Sequence, residues 1–147
     1  MKVMLVSSSG GHLAQLHELK PWWEKHDRLW VTFDKKDATS LLREETTVWA
    51  HHPTTRNVKN LIRNVFLAWS VVRRWRPELI VSTGAGVAFP FFLIAKLYRV
   101  KTVYLEVFDR RDTLTGRLCY PLTSLFLLQS EDQRRRYPRA QVIGPLY

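Results

Sequence analysis

Apolar and polar positions along this chain fall into short alternating blocks. Residues 3–6, Val-Met-Leu-Val, are uninterrupted apolar residues that run into Ser7-Ser8-Ser9-Gly10-Gly11-His12, after which Leu13, Leu16 and Leu19 recur at helical spacing. This pattern predicts a buried strand over 3–7, a tight turn, and a helix over 13–25 that Pro21 bends. Further apolar runs predict strands at 28–33, 46–50, 79–82, 102–105, 125–129 and 141–143. Helical periodicity predicts helices at 35–43, 57–75 (closed by Pro77) and 87–98, with short helical pieces at 114–120 and 132–137. His51-His52-Pro53-Thr54-Thr55 reads as a loop, and residues 82–86, Ser-Thr-Gly-Ala-Gly, as a second glycine turn. No repeat or linker interrupts the pattern, so residues 1–147 are expected to form a single domain.

Strands alternating with helices, several of the strands nearly continuous in apolar residues, predict an α/β fold with a doubly wound parallel sheet, Rossmann-like, joined by right-handed crossovers. In the common strand order 3-2-1-4-5-6, ligands sit beyond the carboxyl ends of the strands flanking the point where the order reverses. Both glycine turns follow those strands, the first and the fourth. Turn amides at a helix start attract phosphate, Gly10 and Gly11 let a ligand approach the backbone, and His12 exchanges protons near neutral pH. The plainer alternative is that serine and glycine only make a turn and that His12 caps a helix.

Charge narrows the partners. Among 147 residues, 23 Lys and Arg stand against 13 Asp and Glu, a formal net charge of +10, which implies attraction to an anionic partner: nucleic acid, acidic membrane or phosphorylated substrate. An apolar share of 46%, with six Trp and seven Phe, excludes a disordered chain. The single cysteine, Cys119, cannot form an internal disulfide, and with no charged-then-apolar leader before the first strand the chain is expected to be cytosolic or to face the cytosol. The longest apolar run, 87–95, is far shorter than a membrane-spanning helix requires.

The helix predicted at 57–75 carries a second message. Val58, Leu61, Ile62, Val65, Trp69, Val72 and Trp75 follow the helical period, while Arg56, Lys59, Arg63, Arg73, Arg74 and Arg76 supply positive charge with no acid between them. One reading lays this stripe on an anionic membrane; the other turns it toward the sheet and leaves the charges solvated. No nucleic-acid-binding motif or aromatic platform is present. A dinucleotide oxidoreductase is a rival, with Asp34 at a strand end, but the first turn lacks the G-x-G-x-x-G spacing. His51 and His52 are adjacent and point oppositely in extended chain, with no ligand at metal-binding spacing. Glu106, Asp109 and Asp112 share one loop with Arg110 and Arg111 after a strand, a position that favours an active-site loop over a self-neutralising surface.

Five motifs in order carry a family resemblance: Ser-Gly-Gly-His at 9–12, Ser-Thr-Gly-Ala-Gly-Val-Ala-Phe-Pro at 82–90, Val-Tyr-Leu-Glu-Val-Phe-Asp-Arg at 103–110, Leu-Thr-Gly-Arg-Leu-Cys-Tyr-Pro at 114–121, and Tyr-Pro-Arg-Ala with Ile-Gly-Pro-Leu within 137–146. Together they resemble the Alg14/PssD family of oligosaccharide-biosynthesis proteins. The resemblance implies the N-terminal half of a GT-B glycosyltransferase, similar to the MurG-like enzymes that add N-acetylglucosamine to a lipid-linked sugar. A separate Alg13/PssE-like protein would then be the catalytic partner in a heterodimer, holding most of the UDP-sugar, which is a substrate and not a cofactor. No cofactor or metal is implied. The acceptor would be a polyprenyl-diphosphate-linked saccharide at the cytoplasmic face of a membrane.

Residue by residue, the resemblance assigns Ser9, Gly10, Gly11 and His12 to the first glycine loop and Thr83, Gly84 and Gly86 to the second. Glu106 and Arg110 fall in the loop acid motif, and Thr115 and Gly116 in the Leu-Thr-Gly motif. It makes His12 or Glu106 the base and the loops a diphosphate site. Gln15 stands where many relatives carry an acid, and Val107 where eukaryotic members carry serine. The second departure points toward the bacterial exopolysaccharide or capsule branch.

Overall fold

The computed structural model describes residues 1–54, 57–84, 86–105, 118–128 and 141–142. Glu106, Arg110, Thr115, Gly116 and Arg56, together with the helical turn expected at 132–137, lie outside the described residues.

Seven parallel strands form one sheet: β1 (Lys2–Ser7), β2 (Asp27–Phe33), β3 (Thr47–Ala50), β4 (Leu79–Gly84), β5 (Lys101–Leu105), β6 (Leu125–Leu128) and β7 (Gln141–Val142), in the order β3-β2-β1-β4-β5-β6-β7. The expected doubly wound order is present, extended by one strand. The chain leaves β1 toward one edge and returns at β4 beside β1, so the reversal lies between these two strands.

Alternation along β1 explains the two layers. Val3 and Leu5 pack with Trp30, Val81, Leu13, Leu16 and Trp23 on the face covered by α1 (Gly11–His17), α2 (Lys20–Trp23) and α3 (Lys36–Leu41). Met4 and Val6 face the opposite layer, where Val31, Ile80, Phe91 and Tyr104 are buried under α4 (Val58–Trp75) and α5 (Ala88–Leu97). The central strands β1, β2 and β4 therefore bury both their faces, which is why they read as apolar runs.

Three details differ from expectation, each for a local reason. The helix expected over 13–25 is two short helices, because a proline ring at 21 collides with the carbonyl four residues back, and residue 17 is where α1 ends. The second glycine turn starts later than its sequence suggests: β4 runs through Gly84, whose amide donates to Ser82 Oγ at 2.9 Å.

The third concerns α4. Its inward face is Asn60, Asn64, Ala68, Val71 and Val72, while Val58 (69% exposed), Ile62 (52%), Phe66 (60%) and Trp69 (44%) face outward with Leu61. The sheet-facing version of the apolar stripe is thus overturned for most of its length; Val72 alone of the stripe is fully inward, with Val65 and Trp75 partly buried. The face toward the sheet is set by small and amide side chains whose partners are described below.

Candidate functional site

Both glycine loops stand at the carboxyl ends of β1 and β4, on the two sides of the reversal point. The strands pair in register from Val3↔Leu79 to Val6↔Ser82, then slip so that Ser7 pairs with Gly84. Thr83 is the extra residue, and such a bulge re-aims the local backbone. Its carbonyl accepts from His12 Nδ1 at 2.9 Å, and its hydroxyl donates to the His12 carbonyl at 2.5 Å. The two loops are therefore joined by a reciprocal pair.

This contact fixes the chemistry of His12. A carbonyl only accepts, so Nδ1 carries a proton, and in the neutral tautomer this contact selects the basic nitrogen is Nε2. His12 is the second residue of α1, whose cap is Gly10, so the ring does not serve as the helix cap.

The four loop glycines divide into two pairs. Gly10 has φ +79°, and neither it nor Gly11 has any atom within 4 Å of where a Cβ would stand. Among the described residues nothing fills that space. By contrast, a Cβ on Gly84, at φ +117°, would lie 2.7 Å from the Tyr104 hydroxyl and 3.3 Å from His12 Cε1, and one on Gly86 would lie 2.8 Å from Thr54 Oγ1. On its Cβ side the second loop needs glycine to admit protein atoms.

The Gly10 amide donates to Asp37 Oδ2 at 2.6 Å, a carboxylate supplied from the first turn of α3. A diphosphate bound at that amide would displace it. Ser9 is half-buried beside this turn, and Ser8 Oγ donates to its carbonyl at 3.2 Å. Tyr104 is wholly buried, stacked on Phe126 at 4.9 Å and edge-on to Phe92 at 5.8 Å, with its hydroxyl reaching the underside of Gly84.

Sequence reasoning missed Asp37, Tyr104 and Thr54. The one available signal was the run of asparagines at 57, 60 and 64, spaced to share a helix face in an otherwise apolar and basic segment. Lys59, Arg63, Arg73 and Arg74 are all exposed on α4, around the outward apolar residues. Asp34 is exposed at the end of β2. Among the described residues no group of His, Cys, Asp and Glu is arranged to hold a metal, and no helix is long and apolar enough to cross a membrane.

The shifted titrations lie at the opposite, amino-terminal edge of the sheet. Arg28 meets Glu45 through Nε (2.5 Å) and Nη2 (3.0 Å), while Trp30 Nε1 donates to Glu45 at 2.8 Å. The Arg28 hydrogen bond holds Glu45 below the usual carboxylate range, and the same bond raises Arg28. Burial, aided by Lys20, lowers His17. Arg28, Glu45, His17 and Lys20 line a polar hollow of about 500 Å³ with Arg43 and Ser40.

The family model described as oligosaccharide biosynthesis protein Alg14 like matches residues 3–146. The UDP-N-acetylglucosamine transferase subunit ALG14 of Eremothecium gossypii is 35% identical over 103 residues, covering 60% of this chain and 46% of that protein. The subunit of the same name from Homo sapiens is 22% identical across 98% of this chain and 82% of its own length. The chain thus spans about half of the fungal relative. Among solved structures, Acinetobacter baumannii MurG aligns with a TM-score of 0.77 at 14% identity, over 89% of this chain and 42% of that one. UDP-GlcNAc 2-epimerase from Neisseria meningitidis, bound to UDP-GlcNAc, aligns at 0.79 with 15% identity, over 99% and 47%. These structural likenesses show the fold, that of a Rossmann-like domain of GT-B proteins.

Proposed function

Because the chain belongs to the Alg14-like family of oligosaccharide biosynthesis proteins, we propose that it is the acceptor-side subunit of a split glycosyltransferase. It works with an Alg13/PssE-like catalytic partner that holds most of the UDP-sugar. The acceptor is a polyprenyl-diphosphate-linked saccharide in bacterial exopolysaccharide or capsule synthesis, and the chain forms one domain. The observation that carries this reading is the His12 ring held between the two glycine loops with Nδ1 on the Thr83 carbonyl.

In the reaction, a hydroxyl of the acceptor attacks the anomeric carbon of the sugar, and its proton passes to His12 Nε2. The bond from that carbon to the UDP oxygen breaks, and UDP leaves with the electron pair. A positioned base contributes about 10²–10⁴-fold to such a step. Glu106, which directly follows β5, is the second candidate base. The open faces of Gly10 and Gly11 leave room for a substrate diphosphate, whose charge the chain's net +10 favours. Thr83 shapes the same rim; Arg110, Thr115 and Gly116 are assigned to it by the family motifs alone. No cofactor enters this scheme.

The chain sits peripherally on the cytoplasmic face of an anionic membrane. The outward apolar residues of α4, flanked by Lys59, Arg63, Arg73 and Arg74, support this placement: a face with aromatic and aliphatic side chains at its centre and cations around it suits a lipid headgroup boundary. Trp69 Nε1 donates to Tyr98 Oη at 2.7 Å, and exposed Leu97 extends the face onto the end of α5.

The deciding experiment assays the chain, the partner and their mixture against a panel of UDP-sugars, UDP-N-acetylglucosamine first, with lipid-linked acceptors in vesicles. Transfer by the mixture alone is expected. Full transfer by this chain alone overturns the split arrangement, and no transfer by the mixture with any sugar overturns the enzymatic reading.

A further inference from the structure

The connection between β3 and α4 is held by two buried amide side chains. Asn64, wholly buried on the inward face of α4, accepts from the His51 amide at 2.9 Å and donates to the His51 carbonyl at 3.0 Å. Asn60, one turn earlier and 7% exposed, donates to the Pro53 carbonyl at 2.8 Å, while its own amide donates to the Asn57 side chain at 2.9 Å. A buried amide is costly unless its hydrogen bonds are made, and here they are made to the backbone of one loop. Two inward positions of α4 that hydrophobic packing would otherwise fill are used to hold His51 and Pro53 in place.

The residue these clamps deliver is Thr54. Its Oγ1 and Cβ both stand 2.8 Å from the point where a Cβ on Gly86 would project, so the side chain rests on the second glycine loop. Four residues later comes Val58, the first of the exposed apolar residues on α4 and 69% exposed. Four residues of chain span at most about 14 Å. The loop therefore touches the second glycine loop at one end and is joined within a few residues to the exposed face of α4 at the other. An acceptor whose lipid tail remains in the membrane brings its head group to the rim from the α4 side, past this loop.

On the basis of the glycosyltransferase reading above, we infer that Thr54 is an acceptor-binding residue: its hydroxyl hydrogen-bonds the diphosphate-sugar head of the lipid-linked acceptor, and Asn60 and Asn64 are the residues that position it. A neutral hydroxyl serves both as donor to a phosphate oxygen and as partner to a sugar hydroxyl. The half-buried Thr54 stands at the rim without filling the open space above Gly10 and Gly11.

The test uses the complex with its partner. Thr54→Val keeps the shape and removes the hydroxyl; it should raise KM for the lipid-linked acceptor about fivefold, the loss of one neutral hydrogen bond, and leave KM for the UDP-sugar and vesicle binding within twofold. Thr54→Ser should restore the acceptor KM. Hydrogen exchange gives a readout independent of turnover: the amides of His51, His52 and Thr54 should slow when vesicles containing polyprenyl diphosphate are added, and not with the same vesicles lacking it. An unchanged acceptor KM in Thr54→Val within an active complex, or exchange indifferent to polyprenyl diphosphate, overturns the assignment and leaves the enzyme intact. An inactive wild-type complex overturns the reading beneath it.

Discussion

His12 and Thr83 are bonded to each other twice, ring to carbonyl at 2.9 Å and hydroxyl to carbonyl at 2.5 Å, across 71 residues of chain. The pair makes one site out of two loops and sets the histidine tautomer through a backbone carbonyl. Replacing the ring should therefore remove a base without undoing the fold. His12→Ala is expected to cut transfer at least 100-fold with a melting temperature within a few degrees of wild type. Thr83→Val loses only the hydroxyl bond and should cost about tenfold in kcat. Near-normal turnover in His12→Ala leaves Glu106 as the base, and Glu106→Gln then takes the large loss.

Gly84 is the most constrained of the loop glycines. At φ +117° an L side chain is strained, and the added Cβ would meet the Tyr104 hydroxyl at 2.7 Å. Gly84→Ala should destabilise the fold by about 2–4 kcal/mol through backbone strain and overpacking together. Adding Tyr104→Phe removes the atom nearest the collision and keeps the ring on Phe126. The double variant should be more stable than Gly84→Ala alone, and a denaturant series on the four proteins measures that coupling.

The sheet order and the pairing of the two glycine loops were legible because both depend on local signals: apolar runs of strand length and glycines at the strand ends. The orientation of α4 was not. Apolar periodicity alone points a helix inward, yet this helix turns its amides inward, because Asn60 and Asn64 have backbone partners in a loop seven and thirteen residues away. Reading that requires knowing where the loop goes. Asp37 was invisible for a similar reason: an exposed acid on a short helix looks solvated until the Gly10 amide is seen 2.6 Å from it. The role of Gly86 depends equally on Thr54, which no spacing rule connects to it.

Acid should loosen the amino-terminal edge of the sheet in two stages. His17 titrates below its ordinary 6.5 in the fold because burial disfavours the imidazolium, so its contribution is present above 6.5 and is lost as pH falls from there toward the lowered folded value. Glu45 titrates below its ordinary 4.5 because of the Arg28 hydrogen bond, so its contribution is complete above 4.5 and disappears as pH falls through its folded value. Both slopes have the same sign. Melting temperature should fall first just below pH 6.5 and again below pH 4.5; His17→Gln should flatten the first step. Glu45→Gln should remove the second and cost about 1–2 kcal/mol at pH 7 by weakening the bonds to Arg28 and Trp30. A profile flat from pH 6.5 to 4.5 contradicts the first assignment, and one that stays flat as pH falls below 4.5 contradicts the second.

The two faces of α4 should separate stability from membrane binding. Phe66 and Trp69 are 60% and 44% exposed, so polar replacements there remove part of each side chain's packing and the Trp69 bond to Tyr98, and should cost about 1–3 kcal/mol. If this face lies on lipid, Phe66→Ser with Trp69→Ser should weaken binding to both neutral and acidic vesicles, since the apolar contribution is independent of headgroup charge. Removing Arg63, Arg73 and Arg74 should act differently: each exposed charge near an anionic surface contributes about 1 kcal/mol, so binding to acidic vesicles should fall on the order of 100-fold, while neutral vesicles are bound as before and added salt reduces the difference. The inward face gives a different result. Asn64→Ala leaves the His51 amide and carbonyl without their partner and should destabilise the fold by about 1–3 kcal/mol, with vesicle affinity per folded molecule unchanged. Cosedimentation and thermal melts on the same three variants decide the matter, and serine variants that bind both vesicle types as tightly as wild type remove α4 from the membrane contact.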